Sequence, residues 1–409
     1  MKQLHVVGSY PVGTHTFVLW QLHGALARGH EVHVLAANRG NEAGQAMVSR
    51  LGLQGVRATC AGFRDYPALG LDLRRFERRF AAAANSALYG RLLAERRKTF
   101  FCDLVSRPGI AGVDLVQVHF VQWAVEVGIP LARLLDKPCV VTAHGAVSDT
   151  NPDFLKHVQA EADAIVLVSD GELEAWARCT GSDRKLSRVW NGLPLPSLPA
   201  ARPPHAQAGT LEIVTIGRLA QEKRIADAID AVARVDASGP LRCNLSIFGE
   251  GPLREPLGAC IRELGMDDRI RLEGNVPHDR IMARLAASDL LVHAADVEPF
   301  GMAMIEAMAV GLPVVAARSS GAVQIVADGS TGLLFACGDV DGLAAGIRTL
   351  GADGGLRRAM GEAGRERAAR LFSLDSHIAG MERLWETAIA RHRGDSGHTT
   401  FHQPGERRP

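Results

Sequence analysis

Three tyrosines in 409 residues, and 5% aromatic residues in all, leave little material for a surface that stacks bases. The 46 Lys and Arg residues stand against 45 Asp and Glu, so the net charge is +1 and no excess exists to hold a polyanion. No nucleic-acid partner is expected. The seven cysteines (Cys60, Cys102, Cys139, Cys179, Cys243, Cys260 and Cys337) never fall at CxxC spacing. The odd count and wide spacing predict buried free thiols in a reducing compartment. No run approaches the roughly 18 uninterrupted apolar residues that a spanning helix needs. The opening MKQLHVVGSYP reads as a short strand rather than a leader. These readings predict a cytoplasmic protein. The chain also lacks GxSxG and GxxxxGK[ST], so serine-hydrolase chemistry and a Walker phosphate loop are not indicated.

What is present is an ordinary globular composition, 47% hydrophobic and 22% charged. The length exceeds one core, so two domains are the prior. LHVVGSYP, a helix over TFVLWQLHGALARG closed by Gly29, and EVHVLAA make a βαβ opening. DLVQVHF, CVVTAHG, AIVLVSD and LSRVWNG extend it. The segment from Leu193 to Thr210 is the richest Pro/Ala stretch and reads as a linker. The pattern then restarts with LEIVTIG, CNLSIFG, IRLEG, DLLVHAA, PVVAA and GLLF. The expectation is an α/β protein of two tandem Rossmann-like domains, each a doubly wound parallel sheet. The expected boundaries are 1–195, 209–372, a C-terminal helix over 373–391 that packs back on the first domain, and a disordered tail over 393–409.

Ligands of such sheets sit at the carboxyl ends of the strands. In TIGRLAQEKRI, Gly217 and Arg218 end a strand and Lys223 follows before a helix. Two cations there suit a diphosphate, Arg as a fork and Lys as a point charge, or simply a solvated loop. In IFGEGPLRE, Gly249 and Gly251 give two glycines of a dinucleotide fingerprint, with Arg254 in place of the third. A tight turn explains them equally well. VEPFGMAMIEAMAVGLPVVA places Glu298 in a loop and Glu306 one turn inside a helix closed by Gly311. The amides from Gly301 to Met304, left free by the helix start, suit a phosphate. A carboxylate only accepts hydrogen bonds, so each Glu should face a hydroxyl-rich part of the ligand. The plainer reading is that both complement the helix dipole. His144 and His119 each end a strand, where a satisfied structural role is the common one. His30 and His33 point to opposite faces of a strand, which excludes a shared metal. Asp339-Val340-Asp341 precedes a helix and reads as an N-cap rather than a cation site.

Taken together, VSDGELEAW, NGLPL, GRLAQEK, GEGPLREPL, EPFGMAMIEAMAVGLPVVA and DGSTGLLF make the second half resemble retaining glycosyltransferase family 4, with its two-domain GT-B fold and deep interdomain cleft. The first half is similar to the bacterial exopolysaccharide, colanic-acid-like branch through YPVGTHTFVLWQL, with Thr14 and His15 where that branch has Ser and Glu, and through VHF and VTAHG. The resemblance implies transfer of a sugar from a UDP- or GDP-sugar to a saccharide or lipid-linked hydroxyl, with retention and without a metal or other cofactor. Arg218 and Lys223 would hold the diphosphate, with Gly217, Gly249 and Gly251 nearby. Glu306 would bind the ribose. Glu298, with the backbone of Phe300, Gly301 and Met302, would bind the donor sugar. His144 would lie near donor sugar and acceptor, and Gly13 and Thr14 would face the phosphates. Two departures stand out: SGAVQIV carries Gln324 where relatives have Glu, and HGAVSD spaces Asp149 further from His144 than HGxD. A sugar-nucleotide epimerase of the same fold and a non-catalytic sugar-nucleotide-binding subunit are the alternatives. The intact Arg, Lys, Glu, Glu set argues against the latter.

The segment from Leu71 to Phe100 carries Arg74, Arg75, Arg78, Arg79, Arg91, Arg96, Arg97 and Lys98, with apolar residues at helical spacing. It reads as a solvated helix face or as a surface for anionic lipid, which would place the enzyme peripherally at the inner face of a membrane.

Overall fold

The computed structural model describes residues 1–13, 15–61, 95–121, 123–145, 147, 150–195 and 210–394. Thr14, Asp149, residues 71–94 of the basic segment, residues 196–209 of the linker and the tail from 395 lie outside the described residues. The chain divides into two units. The first holds Met1–Val168, Glu172–Gly192 and the chain from His377 onward, and the second holds Ser169–Gly171 and Leu193–Ser376.

In the first unit, β1 (Lys2–Tyr10), α1 (Thr16–Ala27), β2 (Glu31–Arg39), α2 (Glu42–Arg50) and β3 (Arg57–Cys60) are followed by α3 (Glu95–Ser106) and α4 (Pro108–Ala111). Next come β4 (Leu115–His119), α5 (Trp123–Leu135), β5 (Cys139–Ala143), α6 (Pro152–Glu161), β6 (Ala164–Leu167), α7 (Asp170–Thr180) and β7 (Leu186–Arg188). All pairings are parallel, in the order β3-β2-β1-β4-β5-β6-β7. The central strands are apolar runs because helices cover both faces of such a sheet; Val140 and Val141 of β5 are fully buried. Turn chemistry sets the helix starts. Asn41 caps α2 by accepting from Gly44 N at 2.8 Å, and Asn151 caps α6 ahead of Pro152 by accepting from Asp153 N at 2.8 Å.

The second unit repeats the plan. Its elements are β8 (Thr210–Ile216), α8 (Ile225–Ala237), β9 (Arg242–Phe248), α9 (Arg254–Glu263), β10 (Ile270–Gly274), α10 (His278–Ala286), β11 (Leu290–His293) and α11 (Met302–Ala309). β12 (Val314–Ala317), α12 (Ala322–Ile325), β13 (Gly332–Phe335), α13 (Val340–Ala352) and α14 (Gly354–Leu371) complete it. The parallel order is β10-β9-β8-β11-β12-β13. Both sheets reverse direction beside their first strand, between β1 and β4 and between β8 and β11. Such a switch point leaves a crevice at the strands' carboxyl ends.

The last helix, α15 (Leu374–His392), belongs to the first unit from His377 on. There Trp385 is fully buried and its Nε1 donates to Gln117 Oε1 at 2.9 Å, while His377 Nδ1 lies 2.7 Å from the Trp190 carbonyl. Glu382 accepts from Arg28 at 3.2 Å and from His30 at 3.0 Å. No helix among the described residues is long and apolar enough to cross a membrane.

Candidate active site

The switch point of the second sheet gathers most of the candidates. Lys223 closes a 3-10 turn (Gln221–Lys223) after β8, and Glu298 lies in the loop after β11. Because β8 and β11 are neighbours, residues 75 positions apart meet: Lys223 Nζ donates to Glu298 Oε2 at 2.7 Å. His293, the last residue of β11, holds the same oxygen at 3.0 Å. Burial alone would disfavour a charged Glu298. The hydrogen bond from His293, the His293 charge, and the charge and hydrogen bond of Lys223 outweigh it and lower the carboxyl's pKa to about 2. Glu298 is therefore an ionised, doubly gripped carboxylate.

The loop around Glu298 is fixed from outside. Gly321 N and Ser320 Oγ both donate to the Glu298 carbonyl, at 2.8 and 3.2 Å. A Cβ on Gly321 would stand 2.3 Å from the Phe300 carbonyl oxygen, so only glycine permits this approach. Phe300 is buried, its ring edge-on to Phe372 at 5.9 Å. Gly301 enters α11 at φ +104°. The sequence predicts free amides from Gly301 to Met304. That is corrected at one position, because Met304 N donates to the Gly301 carbonyl at 3.1 Å in a tight first turn. Among the described residues, no backbone carbonyl takes the amides of Gly301, Met302 or Ala303.

Glu306 is 5% exposed in the middle of α11, and its Oε1 lies 2.9 Å from Nε2 of His278, the first residue of α10. Arg218 stands apart from this group. Its guanidinium pairs with Glu222, and its side chain is 67% exposed. Gly217 donates from its amide to the Phe248 carbonyl at 3.0 Å, and the Lys223 stem lies over it. Gly249 and Gly251 are glycines for an internal reason: a Cβ at Gly249 would sit 2.0 Å from the Gly217 carbonyl oxygen, and one at Gly251 2.4 Å from that of Leu219. They seat the segment that carries Arg218. Asp339 caps α13 by accepting from Gly342 N at 2.9 Å, and Asp341 pairs with Arg234 at 2.6 Å. Among the described residues no group of three His, Cys, Asp or Glu is placed to hold a metal.

In the first unit, Gly13 N donates to Asn41 Oδ1 at 3.1 Å, and a Cβ there would meet that of Ala43 at 2.6 Å. His144 follows β5 with its Nε2 3.1 Å from His119 Nδ1, and His119 Nε2 lies 2.9 Å from His5 Nδ1. Burial, with further lowering by His377 and His15, pushes the His144 pKa well below the usual range, so its ring is neutral. Sequence reasoning missed His278, His293, His5 and Gln3. Only His293 carried a signal, as a strand-ending histidine of the kind seen at His119.

Two family models match the chain: Glycosyltransferase Family 4 over residues 13–195 and Glycosyl transferases group 1 over residues 201–367. A Salmonella typhimurium protein named for colanic acid biosynthesis, the glycosyltransferase WcaL, is 26% identical over 84% of this chain and 89% of its own. Glycogen synthase of Mycobacterium tuberculosis is 29% identical over 69% of this chain and 70% of its own. Among solved structures, Anabaena HepE in complex with UDP and glucose superposes with a TM-score of 0.75 at 19% identity, over 95% of this chain and 100% of that one. With both halves matched, two parallel α/β sheets of Rossmann order and this set of relatives, the protein is a glycosyltransferase of the GT-B fold and belongs to glycosyltransferase family 4.

Proposed function

We propose that this glycosyltransferase takes a sugar from a UDP- or GDP-sugar and places it, with retention, on a hydroxyl of a saccharide or lipid-linked acceptor, in polysaccharide or glycolipid synthesis. The observation that carries the reading is the Lys223–Glu298 ion pair across the switch point of the second sheet, beside the open amides of α11. A cation and a carboxylate held together at a strand-end crevice are a matched pair for the two halves of a sugar diphosphate. The diphosphate takes Lys223 and the amides, and sugar hydroxyls donate to Glu298. In this reading Arg218 swings from Glu222 to the phosphates. As the bond from the anomeric carbon to the leaving oxygen breaks, charge grows on the diphosphate, and these donors, once in place on it, stabilise that charge. The departing phosphate oxygen takes the acceptor's proton as the acceptor oxygen bonds to the same face of the sugar. Glu306 binds the ribose hydroxyls, and the first unit serves the acceptor. HepE, crystallised with UDP and glucose, and WcaL, named for colanic acid biosynthesis, support this donor and acceptor class.

The test is incubation with a panel of nucleotide sugars while nucleotide release is followed. Release should occur with one donor class, persist in EDTA, and fall by about 10²–10³-fold in Lys223→Ala and in Arg218→Ala, the scale of losing one transition-state donor. EDTA-sensitive release restored by Mn²⁺ would return Asp339 and Asp341 to metal binding. Near-normal release in both variants would remove the clamp. Epimerised sugar without acceptor would favour an epimerase.

The membrane part of the reading rests on the basic segment, most of it outside the described residues. Each basic residue near an anionic surface contributes about 1 kcal/mol. Binding to anionic vesicles should therefore be salt-sensitive and should disappear when Arg74, Arg75, Arg78 and Arg79 become Gln. Equal co-sedimentation of both proteins would favour a soluble acceptor.

A further inference from the structure

The central strands of the first sheet carry polar residues where both faces of the sheet are covered. Gln3 and His5 on β1, Gln117 and His119 on β4, and Thr142 on β5 recur at every second position, and His144 follows at the same interval. In register, His5 lies opposite Gln117 and His119 opposite Thr142. Gln3, His5, Gln117 and His119 are fully buried. Alternation puts these side chains on one face, a polar seam in a layer that is otherwise Val, Leu and Ala.

The seam is two rows of hydrogen bonds. In one, Trp385 Nε1 donates to Gln117 Oε1 at 2.9 Å, and Gln117 Nε2 donates to Thr142 Oγ1 at 2.9 Å. An indole N–H only donates, so this row has a fixed direction. The other row runs from Gln3 Oε1 to His5 Nε2 at 3.0 Å, from His5 Nδ1 to His119 Nε2 at 2.9 Å, and from His119 Nδ1 to His144 Nε2 at 3.1 Å. His144 Nδ1, at the open end, is buried and has no partner among the described residues. Buried polar atoms nearly always have one. The rings of Phe17 and Phe120 stand 4.4 and 5.1 Å from the His144 ring, and the titratable groups that face it among the described residues are His119, His15 and His377.

Direction follows from the first member. Gln3 turns its Oε1 to His5, and its Nε2 has no partner among the described residues; with that oxygen facing it, His5 carries its proton on Nε2 and its Nδ1 accepts from His119. A neutral imidazole has one donor and one acceptor, so His119 in turn accepts from His144 Nε2–H. All three rings are neutral because burial lowers their pKa values, that of His5 to about 3. The row is not a proton conduit, since it ends at an amide that takes up no proton.

We propose that Gln3, His5 and His119 are positioning residues that lock His144 in the Nε2–H tautomer, so that Nδ1 offers a bare lone pair to a hydroxyl of the substrate. This rests on the reading of His144 as a substrate-facing residue. A hydroxyl satisfies the orphan acceptor by donating. A phosphate or carboxylate brings no proton and is refused, which reserves this position for the sugar or acceptor end of the ligands.

The experiment is long-range proton–nitrogen NMR of the full-length protein labelled in histidine, with His144 assigned by comparison with His144→Gln. The wild type should show protonated Nε2 and bare Nδ1. Gln3→Leu should mix the two tautomers, and Gln3→Glu, which keeps an acceptor, should restore the single one. His119→Phe should lower kcat/KM by about 10–100-fold, the scale for losing an orienting partner behind a site residue, and leave nucleotide affinity unchanged. A wild-type His144 protonated on Nδ1, or a single Nε2–H tautomer that survives Gln3→Leu, overturns the lock. The spectra need no turnover, so the expected tautomer pattern in a protein that transfers no sugar supports the lock and counts only against the proposed reaction.

Discussion

At the scale of single residues, the two glutamates differ in what already holds them. Glu298 accepts from a lysine and a histidine, and Glu306 accepts from His278. A ligand that takes Lys223 leaves Glu298 with His293 and an accepting position open to a sugar hydroxyl. Glu306 keeps its histidine and offers its second oxygen. Glu306→Ala should weaken nucleotide binding by about 1.5–3 kcal/mol, the range for hydrogen bonds to a charged group. His278→Leu should act in the same direction but less, since it frees only one oxygen. Glu298→Ala should leave free-nucleotide affinity nearly intact and cut sugar transfer. Calorimetric titration with nucleotide, set beside turnover, checks this, and the opposite pattern reverses the assignment. The pair was legible because a strand, a loop and a helix follow one another around it. The histidines that orient it were not. His278 lies 28 residues from Glu306 and meets it only because α10 packs against α11. No local spacing encodes that contact.

At the scale of elements, the strand-to-helix loops lie where the sequence places them, and packing between neighbouring loops accounts for their glycines. The GxG after β9 suits either a tight turn or the approach of a ligand, and the structure seats the loop after β8 against it. Leu219 N donates to the Glu250 carbonyl at 2.9 Å, and Leu253 N donates to the Leu219 carbonyl at 3.0 Å. A methyl at Gly249 must displace backbone and must also accept φ +135°. Gly249→Ala and Gly251→Ala should each destabilise by about 1–3 kcal/mol, the usual cost of overpacking. Each should also raise the donor KM, because the displaced segment carries Arg218. Gly239→Ala, where nothing lies within 4 Å, should do neither. Urea midpoints and donor KM measured on the three variants decide it; a stable Gly249→Ala with normal KM would mean that the loop yields freely. The same logic explains a helix that the sequence hides. α14 contains Gly361 and Gly364, which read as helix breakers. A Cβ at Gly361 would lie 2.0 Å from the Gly311 carbonyl oxygen, and one at Gly364 3.4 Å from the Met308 side chain. Gly361 lets α14 press on the turn that ends α11, the helix that carries Glu306, while Gly364 leaves Met308 at ordinary contact. Tertiary contact overrides propensity there, while the central strands, buried on both faces, announce themselves as apolar runs.

At the scale of the whole molecule, acid should act on the first unit before the second. His5, His119 and His377 are buried and His144 is half-buried in the first unit, all with pKa values lowered chiefly by burial, His5 to about 3 and His377 to about 4. The unfolded chain protonates each near the ordinary 6.5. Below that value the unfolded state binds more protons than the folded one, so stability falls as pH falls, and the loss continues until the folded pKa is reached. His5 and His377 each contribute about 1 kcal/mol of loss between about pH 6.5 and 5.5, about 2 kcal/mol together, and His119 and His144 act in the same direction. Glu298 of the second unit works in another window. Its folded pKa is depressed, so its contribution is intact above about 4.5 and is lost only as pH falls toward about 2. The probe is built in: all five tryptophans, Trp20, Trp123, Trp176, Trp190 and Trp385, belong to the first unit. Urea unfolding followed by tryptophan fluorescence should therefore show a midpoint that drops steeply from neutral pH toward 5.5, and His5→Leu should remove about one proton's share of the slope. A midpoint that stays flat across that range would mean that the buried histidines are charged in the folded protein. The row of neutral rings from Gln3 to His144 would then have to be redrawn.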